Sequence, residues 1–86
     1  LRELGTPESE LISKQIAQTV NQALNELPEE LRTAITLREI EGLSYEEIAS
    51  VMNCPTGTIR SRIFRAREVI SVKLQPVTEI SKDKRW

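Results

Sequence analysis

The chain has 86 residues, 29% of them charged, with one cysteine, no histidine and a formal net charge of −1. One small domain of this size has only just enough sequence for a single hydrophobic core, which leaves little for a catalytic cavity. A lone cysteine excludes an intramolecular disulfide, the lack of histidine argues against an internal zinc site, and no apolar run approaches the ~20 residues that span a bilayer.

The near-neutral total conceals a dipolar molecule. Residues 1 to 54 carry four Lys or Arg against ten Asp or Glu, whereas residues 55 to 74 carry five against one. From residue 75 the balance is three against two. Such a chain turns its basic segment toward an acidic polymer and keeps its acidic side away. The chain opens at Leu1 rather than at a methionine and is expected to be a piece of something longer. It shows no signal-peptide pattern, so a cytoplasmic location is expected.

Leu1 to Gly5 reads as the end of a linker. Thr6-Pro7 is a helix start, with threonine as the cap, proline in the first turn, and Glu8 and Glu10 near the positive end of the helix dipole. Leu11, Ile12, Ile16, Val20, Ala23 and Leu24 keep helical spacing, so the first helix is expected to run to about Asn25. Leu27-Pro28-Glu29-Glu30 repeats the start signal. Leu31, Ala34, Ile35, Leu37 and Ile40 form the expected buried stripe of a second helix, which Gly42 stops in the left-handed conformation. Arg38, near that helix end, is placed for a dipole contact, a salt bridge or a phosphate.

Ser44 then caps a third helix in a capping box with Glu47. Ile48, Ala49, Val51 and Met52 are its expected apolar side. Asn53-Cys54-Pro55 ends it, because a residue before proline is steered away from α geometry. Cys54 is expected to be a small buried apolar group. A fourth helix begins near Thr56, with Gly57 leaving room for a close neighbour. Two short helices joined by a tight turn, the second carrying Arg60, Arg62, Arg65 and Arg67, make a helix-turn-helix whose basic second helix suits a DNA major groove.

The faces of this fourth helix follow from about 100° per residue. Ile59, Ile63, Ala66 and Ile70 fall on one stripe, expected to be buried. Gly57, Ser61, Phe64 and Glu68 lie opposite, with Arg60 and Arg65 on the shoulders. An aromatic ring among charges is odd there, since folding alone prefers a polar residue. Arg60 or Arg65 can lie bidentate on guanine, Ser61 can bond a base or phosphate, and Phe64 can touch a thymine methyl or a sugar. Phe64 packing on a partner protein is the competing reading. Arg62 and Arg67, nearer the core flanks, are expected to cover apolar surface with their stems and to meet phosphate or acidic side chains with their heads. A solvated basic face is the bland alternative for all of them.

No strand is expected anywhere. Pro76 is expected to end or kink the last helix. The terminal SKDKRW is expected to be frayed, with Trp86 lacking any framework.

The segment LPEELRTAITLREIEGLSYEEIASVMNCPTGTIRSRIFRARE resembles region 4, the promoter-binding domain, of bacterial sigma factors of the extracytoplasmic-function group, nearest the envelope-stress sigma-E/AlgU type. The likeness runs from about Ser9 to Pro76. It implies an all-α fold: a compact four-helix domain with a helix-turn-helix, of the winged-helix-like DNA/RNA-binding superfamily. Residues 1 to 8 would then be the end of an interdomain linker, 9 to 76 the domain, with a recognition helix at about 56 to 74, and 77 to 86 a tail. The resemblance implies binding to the minus-thirty-five promoter element of GGAAC type. Arg60, Ser61, Phe64 and Arg65 would read bases, and Arg38, Tyr45 and Thr58 would lie near phosphates. It also implies two protein partners besides double-stranded promoter DNA, the β flap of RNA polymerase core and an anti-sigma factor, with Leu37 and Ile48 as candidate contacts.

Three readings compete: a promoter-binding module, monomeric on its own; a helix-turn-helix of a response-regulator activator, which needs a dimer and a palindromic site; and a pure protein-docking module. An enzyme is disfavoured, with no histidine, no poised carboxylate pair and no Gly-rich phosphate loop. Glu46-Glu47 is a helix-start pair. No cofactor and no direct membrane contact are expected.

Overall fold

A computed structural model describes the backbone of residues 6–83 and the side chains of residues 6–78. The described chain is all-α, with helices α1 (Pro7–Glu26), α2 (Glu29–Glu39), α3 (Tyr45–Met52) and α4 (Thr56–Asp83). The linker residues before Thr6 and the end of the tail with Trp86 lie outside the described residues.

Each start is set by local chemistry. The Thr6 hydroxyl accepts the Ser9 N–H at 3.0 Å at the head of α1, and Pro7 supplies a helical φ without an orphan donor. Pro28 sits one residue before α2, where its carbonyl accepts the N–H groups of Leu31 and Arg32, both at 3.0 Å. At α3 the capping box is complete: Ser44 Oγ accepts from Glu47 N–H at 3.0 Å and Glu47 Oε1 accepts from Ser44 N–H at 2.8 Å. Left-handed residues form the two turns that flank α3, Gly42 at φ 76° before it and Asn53 at φ 56° after it.

The helix α4 is the spine against which α1, α2 and α3 all pack. Its buried stripe is Ile59, Ile63 and Ala66, with Ile70 half-buried beyond them. These meet Leu27, Ala34, Ile35 and Ile48 in one core. At about 1.5–3 kcal/mol for each large side chain fully withdrawn from water, Ile48, Ile59 and Ile63 are the main ties between the helix-turn-helix and the helices before it.

Several expectations need correction. Ile40 is 68% exposed, because it lies one residue past α2 and off its stripe. Leu11 and Val51 are exposed as well, each turned well away from the packed side of its helix. Ile48 is fully buried and cannot meet a partner, since the short α3 spends its best apolar side chain on α4. Cys54 is only half-buried. A Cβ on Gly57 would find nothing within 4 Å, so nothing in this chain needs the room. Nor does Pro76 end the helix, for α4 continues to Asp83. Pro76 removes one backbone donor, but the half-buried Leu74 and Val77 carry the apolar stripe past it. The Thr78 hydroxyl adds bonds to the Leu74 and Gln75 carbonyls at 3.2 and 3.0 Å.

Candidate nucleic-acid interface

The packed stripe of α4 dictates what the opposite side presents. With Ile59, Ile63 and Ala66 inward, Arg60, Ser61, Phe64 and Arg65 are exposed, and together with Glu68 they line one shallow depression. Phe64 is 64% exposed. The four candidate base-reading residues are thus brought together on one open face. The first turn of α4 has no acidic residue, so its positive dipole end adds to the arginines.

The five candidate phosphate residues are split among three places. Thr58 and Arg62 border a second hollow with Ser61 and Arg65, walled by Pro28, Glu30 and Leu31. There Arg62 Nη1 points at Cys54 Sγ, 3.8 Å away, so the turn cysteine is tied to α4. Arg38 and Tyr45 lie on the other flank. The Arg38 guanidinium sits over the Tyr45 ring at 4.9 Å and donates to the Leu43 carbonyl at 2.8 Å, and the Arg60 guanidinium approaches the same ring at 5.3 Å.

Arg67 stands apart. It is bonded to Glu39 of α2, and its pKa is raised above the ordinary guanidinium value, chiefly by that hydrogen bond, with smaller contributions from Glu39's charge and from Tyr45. It therefore meets an acidic side chain, one of the two roles its wheel position allows.

Periodicity could not have found three of these features. Tyr45 serves as a common platform for two arginines. Arg32 caps the end of α1 by donating to the Asn25 and Leu27 carbonyls at 3.2 and 3.3 Å. An apolar groove of about 480 Å³ runs between α1, α2 and α4, lined by Val20, Leu24, Ile35, Ile40, Ile70 and Leu74 among others. Among the described residues no cluster of three or more metal-ligating side chains occurs, and no helix is long and apolar enough to cross a membrane.

A capped helix, a left-handed turn and a second helix seated by an isoleucine stripe with arginines outward define a helix-turn-helix domain. Residues 14–70 match the family model described as Sigma-70, region 4. The chain belongs to that family. Among curated proteins it is 58% identical over 77 residues to the ECF RNA polymerase sigma-E factor of Haemophilus influenzae, an alignment covering 90% of this chain and 41% of that protein. It is also 58% identical over 77 residues to the RNA polymerase sigma-H factor of Pseudomonas aeruginosa (90% and 40%). The figure is 57% over 77 residues for the ECF RNA polymerase sigma-E factor of Escherichia coli K12 (90% and 40%). The chain spans about two fifths of the length of these relatives.

Proposed function

We propose that this domain binds double-stranded promoter DNA at the minus-thirty-five element, of GGAAC type, as the promoter-reading part of an extracytoplasmic-function sigma factor that directs RNA polymerase in transcription initiation. The observation that carries the reading is the gathering of Arg60, Ser61, Phe64 and Arg65 on one exposed face of α4. In the major groove Arg60 and Arg65 offer bidentate donors to guanine, Ser61 a hydroxyl, and Phe64 an apolar edge for a thymine methyl. Arg38, Tyr45, Thr58 and Arg62 flank that face and supply phosphate contacts, which fix register without reading sequence. The open space at Gly57 lets a DNA backbone approach the start of α4. This is a cytoplasmic binding role, without a catalytic step or a cofactor.

The groove between α1, α2 and α4 favours a second, compatible role in the same protein. Its apolar walls and its position beyond the reading face suit an apolar helix of the polymerase β flap or of an anti-sigma factor, so the domain can hold protein and DNA on separate surfaces.

Fluorescence anisotropy on a GGAAC duplex and a scrambled duplex, at two salt concentrations, tests the main reading. A preference for GGAAC that persists as salt rises supports it. Arg60→Ala and Arg65→Ala are each expected to cost ~1–3 kcal/mol and to relax preference at one base position. Equal, salt-sensitive binding to both duplexes leaves phosphate attraction alone and refutes the assignment of base reading to this face.

A further inference from the structure

We propose that Tyr45 is a positioning residue for sequence reading: its ring holds the Arg60 guanidinium at the edge of the DNA-reading face. This goes beyond the phosphate contact that family resemblance implies for Tyr45, and it rests on the proposed reading of bases by Arg60.

The ring is anchored independently of Arg60. Tyr45 is the first residue of α3, immediately after the Ser44 cap, so both bonds of the capping box hold its backbone. The preceding loop is tied twice, by the Leu43 N–H to the Leu37 carbonyl at 3.0 Å and by Arg38 Nη1 to the Leu43 carbonyl at 2.8 Å. Half-buried, the side chain cannot swing freely.

Arg60, by contrast, is exposed and has no ion-pair or hydrogen-bond partner among the described residues beyond this ring, which its guanidinium approaches at 5.3 Å. Glu39 of α2 is already engaged by Arg67. The negative face of an aromatic ring attracts a cation without consuming its N–H donors in hydrogen bonds to an acceptor. A guanidinium held this way keeps its fork available for guanine, where planar bidentate geometry carries the discrimination. The second guanidinium over the ring belongs to Arg38, whose donor is committed to the Leu43 carbonyl. Its charge discourages Arg60 from folding back toward α2 and leaves the outward orientation favoured.

The test uses the intact domain with Tyr45→Phe, Tyr45→Leu, Arg60→Ala and the double variant Tyr45→Leu/Arg60→Ala, titrated on the GGAAC and scrambled duplexes. Tyr45→Phe keeps the ring and is expected to keep the affinity ratio between the two duplexes. Tyr45→Leu is expected to lower that ratio about two- to fivefold, the range of one exposed cation–π contact. The double variant should then lose no more of the ratio than Arg60→Ala alone. A ratio that falls for Arg60→Ala but stays unchanged for Tyr45→Leu, with both duplexes weakened equally, makes Tyr45 a phosphate contact only and overturns the proposal. A ratio unchanged by Arg60→Ala refutes base reading by Arg60 itself, and the positioning role with it. A proton–nitrogen NMR spectrum of the free wild-type protein decides the matter even where Tyr45→Leu unfolds. Ring-current-shifted Arg60 side-chain signals are expected, and signals coincident with those of a solvent-exposed arginine overturn the proposal.

Discussion

Arg67 of α4 is ion-paired to Glu39 of α2, each side chain about half exposed. Because water screens a pair this open, it adds about 0.5 kcal/mol to stability, and its larger effect is to occupy a cation carried by the same helix as the proposed DNA face. Glu39→Gln is therefore expected to leave the melting temperature nearly unchanged while releasing Arg67. DNA affinity should rise equally on matched and scrambled duplexes, with a salt dependence steeper by about one phosphate contact. Titrations across a salt series check this. An unchanged salt slope means that Arg67 does not reach DNA.

Neighbouring residues on α4 should separate folding from binding. Ile63 is 1% exposed and Phe64 64%. Ile63→Asp places an unpaired charge in the core and is expected to cost about 5 kcal/mol, comparable to the whole stability of a small domain. Phe64→Ala should shift stability by less than about 0.5 kcal/mol yet weaken DNA binding. Circular-dichroism melting and DNA titration of both variants test the pair of expectations together, and a melted Phe64→Ala variant would contradict an outward ring.

The turn that aims α4 depends on Asn53, whose φ of 56° is left-handed. Asn53→Gly should be nearly neutral, whereas Asn53→Ala should cost about 1 kcal/mol, because a Cβ without a helpful polar side chain is strained there. Chemical denaturation of the two variants measures the difference.

Stability should also carry an acid-sensitive component from Glu26. Lys73 donates to its carboxylate at 2.5 Å, and first that bond, then the charge of Lys73, lowers the Glu26 pKa below its ordinary value of 4.5. A depressed folded-state pKa means that this stabilisation is fully present above the ordinary carboxylate value and is lost as pH falls through the lower folded value. The melting temperature of the wild type should exceed that of Glu26→Gln near neutral pH. The gap should close on acidification below the ordinary carboxylate value, and a gap independent of pH would argue against the pairing.

Much of this architecture is legible in the residues themselves. The Ser44–Glu47 box, the left-handed Gly42 and the Ile59–Ile63–Ala66 stripe all follow from hydrogen bonding and periodicity over one or two helical turns. The proposed reading face follows as well, because whatever lies opposite a buried stripe must be exposed. Ile40 and Pro76 show where such reasoning fails: apolar character does not guarantee a partner, and a helix-breaking residue can be carried by packing on either side of it.

Sequence alone therefore determined the four helices, the helix-turn-helix and the set of arginines from which the proposed DNA contacts are drawn, since these depend on neighbours a few residues apart along the backbone. Only the tertiary structure decided how those arginines are employed. Arg67 is engaged by a glutamate 28 positions away, Arg62 turns to Cys54, and Arg38 and Arg60 converge on Tyr45. Helical spacing says which way a side chain leaves its own helix. The crossing of α2 and α3 over α4 decides what it meets there.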